Sequence, residues 1–292
     1  GAAGRRDRGV IPRIVPVLVP HGHCLPGCPW CPEPADTSRI PHPDEVSEAV
    51  QLARTKHGTS GRSLELGFYG GDLWALPREH RTALLDAAER EVRGGRVASF
   101  RLTLAPASVL RAPLNEFMKR GLRGVEIPVH SLDREVSRLL GNRSSPRLAL
   151  EAVGRLARAR LRSIVHLSPG LPGSSHRSAV RSAEAIARVH PSAARVLPAL
   201  ALEGTVLGAA YQRGDWIPMD QDQAISTCRD VVARLRQGGV EIIRVGLQPR
   251  VDLARRRRVL AGPDDPNLRS HVESQLLARK AGRALTSSFR FG

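Results

Sequence analysis

The sequence contains no run approaching the roughly 18 consecutive apolar residues that a membrane-spanning helix needs. Its first apolar run, Ile14–Val19, is interrupted by Pro16 and is too short for the core of a secretion signal. These absences predict a soluble, cytoplasmic chain with no membrane partner. Aromatic residues are only 3% of the chain, which leaves few platforms for stacking splayed bases. Lysine is nearly missing, with Lys56, Lys119 and Lys280 its only occurrences. No segment repeats at a fixed period, which argues against a solenoid. Cysteine is scarce as well, and three of the four, Cys24, Cys28 and Cys31, fall within one short stretch. A secreted disulfide framework would spread them out, so the clustering points to metal instead.

The 292 residues suffice for one large barrel-type domain or two small ones, and an apolar content of 41% is ordinary for a globular protein. Net charge is +17, from 45 basic and 28 acidic residues. A surplus of that size suits an anionic partner, nucleic acid first. A GC-rich genome would explain arginine in place of lysine, but not the surplus itself. Residues 1–13 read as a flexible basic lead.

Beyond that lead, strand-like and helix-like segments alternate. Apolar or β-branched runs lie at Ile14–Val19, Leu64–Tyr69, Val97–Leu104, Gly124–Val129, Leu161–Leu167, Ala194–Leu202 and Val240–Leu247. Helical patterns lie at about 43–57, 77–93, 113–120, 146–160, 176–189 and 220–237. The first opens with Pro43-Asp44-Glu45, where proline pre-sets φ and the acids favour the positive helix end. Such alternation predicts right-handed βαβ units and a parallel α/β sheet, either doubly wound or curled into a barrel over about 14–247. In both, ligands bind at the C-terminal ends of the strands. Residues 248–292 read as a short C-terminal extension with one weak helix near 268–281. Its run Arg255–Arg258 is a solvated loop or a phosphate contact. Cys228 falls on the apolar face of the last barrel helix and reads as a core residue.

The cysteine segment is His21-Gly22-His23-Cys24-Leu25-Pro26-Gly27-Cys28-Pro29-Trp30-Cys31, a C-x3-C-x2-C spacing directly after the first strand. Thiolates are the ligands that iron–sulfur clusters select. Three of them on one loop leave one iron of a cubane open to a further ligand. The alternative is a closed zinc site completed by His21 or His23, although zinc ribbons normally supply two separated cysteine pairs and no second pair exists here.

With Trp30 just before its last cysteine, this loop resembles the hallmark of the radical S-adenosylmethionine (SAM) superfamily. The closer resemblance is to short bacterial members of its Elongator catalytic-subunit-like branch. It runs from about 14 to 280 through FYGGDLWALP (68–77), GVEIPVHSLDREV (124–136), GLPG (170–173), PALALEGTVL (198–207), IIRVGLQPR (242–250) and AGPDDPNL (261–268). The resemblance implies a partial (β/α)6-type TIM barrel, with a [4Fe–4S] cluster on Cys24, Cys28 and Cys31 and SAM beside it. It places Trp30 against the adenine, and Gly70 and Gly71 at the methionine ammonium with Asp72 adding a carboxylate. It also places Thr103 towards the cofactor and Arg143 at the cofactor carboxylate, which suits a guanidinium fork. His130 stands where the branch more often has glutamine, and His166 replaces another polar residue. Imidazoles there suit ribose hydroxyls, an altered cofactor geometry or a substrate-facing role. Glu126, inside the fourth strand, needs a partner such as Arg101 or Arg195. GLPG reads as a turn that shapes the site.

The chemistry implied is reductive cleavage of SAM to a 5′-deoxyadenosyl radical that takes hydrogen from a substrate, with electrons from a flavodoxin- or ferredoxin-like donor. Relatives of the branch modify wobble uridine in tRNA with an added acetyltransferase domain. The chain ends at Gly292, so acetyl-CoA-dependent modification by this polypeptide alone is not expected. RNA remains one substrate class, and a small molecule or peptide of secondary metabolism is the other. A zinc-stabilised nucleic-acid-binding protein without catalysis, and a degenerate barrel that no longer turns over, are the remaining readings.

Overall fold

A computed structural model describes residues 12–21, 39–57, 63–139, 145–246 and 259–288, with side chains in the last segment up to 281. Cys24, Cys28, Cys31, Trp30, Arg143, the lead up to residue 11 and Arg255–Arg258 lie outside the described residues.

Seven strands form one sheet in the order β1 (Arg13–Val19), β2 (Leu64–Gly70), β3 (Ser99–Thr103), β4 (Leu122–His130), β5 (Arg162–Leu167), β6 (Ala193–Val196) and β8 (Glu241–Val245). Every neighbouring pair is parallel. The sheet curls into a half-barrel, a partial TIM barrel. The crossovers carry α1 (Pro43–His57), α2 (Arg78–Arg93), α3 (Pro106–Arg111), α4 (Leu114–Lys119), α5 (Arg134–Leu139), α6 (Pro146–Arg158), α7 (His176–Ala187), α8 (Val206–Gln212) and α9 (Gln221–Gln237). Two of the long helices open on reciprocal caps, Ser175 with Ser178 for α7 and Asp220 with Gln223 for α9.

Alternation along each strand sorts the two faces. The convex face carries Val15, Val17, Leu66, Phe68, Phe100, Leu102, Val125, Ile127, Val165 and Val196, all buried in the main core. Cys228 is fully buried there on α9, and burial pushes its thiol up to about 12. The concave face carries charge instead, with Glu65, Arg101, Glu126, His166 and Arg195 joined across five strands.

The structure departs from the sequence reading in five places. The run Ala194–Leu202 breaks at Pro198, giving β6 and then β7 (Ala201–Leu202), which pairs antiparallel with β9 (Val259–Ala261). The helical pattern at 113–120 is α4, whereas the short helices α3 and α5 lie where no helix was expected. The short α8 follows a side-chain cap in which Thr205 accepts from the Gly208 amide. The last helix, α10 (Leu268–Ser288), is longer than expected. It buries Leu268 and Val272, and Arg236–Glu273 and Arg279–Asp230 pairs bind it to α9. Among the described residues, no helix is long and apolar enough to cross a membrane.

Candidate active site

The C-terminal ends of the strands form the mouth of the half-barrel. The loop that carries the three cysteines leaves β1 at this mouth, through His21. Gly70 ends the neighbouring strand with φ +98°, and a Cβ there would stand 2.6 Å from the Val19 carbonyl oxygen. Only glycine tolerates both the dihedral and the approach. The Gly71 amide then donates to the same Val19 oxygen at 2.8 Å. The two glycines therefore lay the end of β2 tightly against the root of the cysteine loop.

Asp72 turns away from that contact. Its buried carboxylate accepts from Ser108 Oγ at 2.5 Å, the Trp74 amide at 2.9 Å and the Ala105 amide at 3.3 Å. Burial raises its pKa against the lowering effect of those donors. Any cofactor contact would come in addition to this tie between β2 and α3. Thr103 is buried at the end of β3, and its hydroxyl donates to the Phe68 carbonyl at 3.0 Å.

His130 sits on a bulge. Pro128 pairs with His166, yet His130 pairs with Leu167, so β4 carries one extra residue. The bulge gives His130 a φ of 62°, unusual for a residue with a side chain. Its Nδ1 lies 3.0 Å from Ser168 Oγ, in a small cleft lined also by Ser131, Ala179, Ser182 and Val231. Burial, and secondarily the charge of His166, push its pKa down to about 3, so it is neutral at physiological pH. The GLPG turn is fixed from below, with Trp216 Nε1 donating to the Gly170 carbonyl at 3.2 Å.

Deeper on the concave face, Glu126 gathers both predicted guanidiniums and one histidine. Arg195 donates through Nε at 3.0 Å and Nη2 at 2.9 Å, Arg101 through Nη1 at 3.4 Å, and His166 Nε2 lies at 2.6 Å. Burial alone would raise this carboxyl, but His166 and Arg195 hold it well below the usual range. Two members escaped the sequence reading. Glu65 binds the far side of Arg101, and Tyr69 stands close to Glu126, with burial and that negative charge pushing its phenol up to about 12. The signal was present: Glu65 and Tyr69 occupy alternate positions of β2, in phase with Gly67, which pairs with Arg101.

Among the described residues, no group of three His, Cys, Asp or Glu side chains is placed to hold a metal ion. The expected donors Cys24, Cys28 and Cys31 follow β1 in the chain and lie outside the described residues. The end of β1 at the mouth, beside glycines that admit close backbone approach and above a polar wall, fits an iron–sulfur cluster with a charged nucleoside cofactor.

Comparison with known proteins agrees. The sequence model of the Radical SAM superfamily matches residues 18–186, and that of the Radical_SAM C-terminal domain matches residues 191–278. A tRNA uridine(34) acetyltransferase of Methanocaldococcus infernus is 24% identical over 252 residues, and one of Methanocaldococcus jannaschii is 22% identical. Each alignment covers 72% of this chain and 46% of the relative, so the chain spans about half the length of these curated relatives. Among solved structures, M. infernus Elp3 lacking its N-terminus superposes with a TM-score of 0.72 at 20% identity, over 92% of this chain and 63% of that one. Coproporphyrinogen III oxidase of Escherichia coli gives 0.53 at 15% identity, over 80% and 54%. At these identities the structures establish the fold. The family match, covering more than half of the chain, establishes the rest: this chain belongs to the radical SAM superfamily, as an enzyme whose cofactors are a [4Fe–4S] cluster and S-adenosylmethionine.

Proposed function

We propose that the chain cleaves SAM reductively and directs the resulting radical at a nucleoside of RNA, tRNA in the first instance. The carrying observation is that the aligned relatives named for tRNA uridine(34) match 72% of this chain. The surplus of 45 basic over 28 acidic residues supports a polyanionic substrate. When bound, the cluster and SAM together supply a 5′-deoxyadenosyl radical able to take a hydrogen atom, fed by a flavodoxin- or ferredoxin-like donor.

The residues of this chain place and shield that chemistry. Cys24, Cys28 and Cys31 hold the cluster, and Trp30 covers the adenine. The carbonyl groups of Gly70 and Gly71 receive the methionine ammonium, and Arg143 pairs with the methionine carboxylate. Thr103, Asp72, His130 and His166 complete the mouth. The network around Glu126 fills the floor, so substrate enters from the mouth and does not pass through the barrel. Water reaching the radical would quench it, and a packed floor closes one route.

Binding to bulk tRNA across a salt series tests the substrate class. A protein that neutralises several phosphates gives an affinity that falls steeply and linearly with salt on logarithmic axes, by roughly a thousandfold between 50 and 200 mM for about six contacts. Retention of specific binding near physiological salt is the expected outcome. Equal affinity for tRNA and for an unrelated polyanion such as heparin would contradict an RNA substrate.

A further inference from the structure

The crossover helices run back against the parallel strands, so their C-terminal ends gather at the end of the half-barrel opposite the mouth. That end is basic, whereas the starts of α1, α2, α5 and α9 at the mouth carry acids. Basic helix ends complement the macrodipole, and several of these arginines have carboxylate partners. Arg96 binds Glu91, Arg120 binds Glu89, Arg162 binds Glu241 and Arg234 binds Glu184.

The turns after α6 and α7 are different. Helices α2, α4 and α9 lead into the following strand through a left-handed glycine, Gly95, Gly121 and Gly239. After α6 the left-handed residue is Arg160, with φ 56°, and after α7 it is His190, with φ 49°. A Cβ makes that conformation costly, which is why helix ends normally place glycine there. Two basic side chains are therefore kept where the backbone favours none. Both are exposed, as are Lys119, Arg158 and Arg188. None of these five side chains has a hydrogen bond or ion pair among the described residues.

The two turns are tied together, since the Ser163 amide donates to Ser192 Oγ and the Ser192 amide to Ser163 Oγ, each at 3.2 Å. An open groove continues the patch beside α4, lined by Lys119, Arg123 and Arg160 and by no acid. On α7, Arg177 and Arg181 are exposed at helical spacing from Arg188 and share its side. Arg177 lies in the first turn, where the helix dipole disfavours a cation. The stripe therefore has no role in stabilising its own helix, and over 12 residues it extends about 18 Å back towards the mouth.

We infer that this basic band, from the turns after α6 and α7 along α7, is a docking surface for the phosphate backbone of RNA, separate from the catalytic mouth. Cations spread along an open face suit a polyanion rather than a single small anion. The identity of the partner rests on the RNA reading above, and the location of the surface does not.

The test is tRNA binding across a salt series by the reconstituted full chain, with thermal midpoint and SAM affinity measured alongside. Arg160→Gly alone should keep or raise the midpoint, because glycine accepts the left-handed turn. A band variant combines it with Lys119→Gln and Arg188→Gln. A control variant removes three equally exposed cations from the other side of the same end, by Arg54→Gln, Lys56→Gln and Arg90→Gln. The band variant is expected to lower the logarithmic salt slope by about two to three and to lose on the order of a hundredfold in tRNA affinity near 100 mM salt. Its SAM affinity should stay unchanged, and the control should keep most of the wild-type slope. Equal losses in both variants would overturn the proposal, because net charge alone would then account for binding. A wild-type slope in the band variant would overturn the surface and leave the RNA reading standing, whereas wild-type protein that binds no tRNA would overturn both.

Discussion

Replacing Cys24, Cys28 or Cys31 by alanine is expected to remove the iron–sulfur absorption and reduce SAM cleavage to background. In the proposed site each thiolate would hold a separate iron of the cluster that carries the electron, so losing one ligand should lose the cluster. The fourth cysteine is the internal control. Cys228 is fully buried on α9, in the same core cluster as Val231, Val232 and Leu235. Cys228→Ala should keep the full iron content and SAM cleavage while losing only about 1 kcal/mol of stability to the small cavity. Iron and sulfide analysis of the anaerobically reconstituted proteins reads both results. Wild-type protein that loads one zinc and no sulfide would restore the zinc-site alternative.

The second large effect is on stability. Glu126→Gln leaves Arg101, Arg195 and Glu65 in a buried network with one negative charge missing. Removing one partner of such a network typically costs about 3–5 kcal/mol, on the order of 10 °C in thermal midpoint for a chain of this size. The pH dependence gives the effect a signature. The Glu126 carboxyl titrates near 4.5 in the unfolded chain and lower in the folded one. Its stabilisation is therefore complete above about pH 4.5 and is lost as pH falls through the folded value. The gap in stability between wild type and Glu126→Gln should narrow as the pH drops below 4.5. Chemical denaturation at several pH values measures it, and a gap that stays constant into acid would show that the charge of Glu126 is not what stabilises the network.

Much of this architecture is legible in the sequence because it rests on local signals. Apolar runs separated by capped helices report a parallel sheet, and three cysteines after the first run report the superfamily. Glu126 with Arg101 and Arg195 was legible for a related reason, since a charge inside an apolar run demands a partner. Glu65 and Tyr69 were harder. A lone charge at an alternate strand position looks the same whether that face meets water or a lined lumen, and only the curl of the sheet decides. The setting of His130 was not legible at all. Its positive φ comes from an extra residue in β4, and a bulge has no marker there, since Pro128-Val129-His130 also fits a regular strand end. Asp72 illustrates the opposite problem. Its position next to Gly70-Gly71 suggested a cofactor contact, while the backbone amides of Trp74 and Ala105 and the Ser108 hydroxyl, two of them 33 and 36 residues away, hold its carboxylate. Contacts of that sequence separation are set by packing, which a single strand-end motif does not encode.

Deuterium transfer tests most directly whether this chain makes a radical from SAM and RNA donates the hydrogen atom. Reconstituted, reduced protein is incubated with unlabelled SAM and with tRNA isolated from cells grown in deuterated medium, and the 5′-deoxyadenosine formed is weighed by mass spectrometry. The expected product is 5′-deoxyadenosine carrying deuterium, in an amount that depends on the tRNA. Product formed at the same rate without tRNA and bearing no deuterium would contradict an RNA substrate, and no 5′-deoxyadenosine from a fully loaded, reduced protein would contradict the radical chemistry itself.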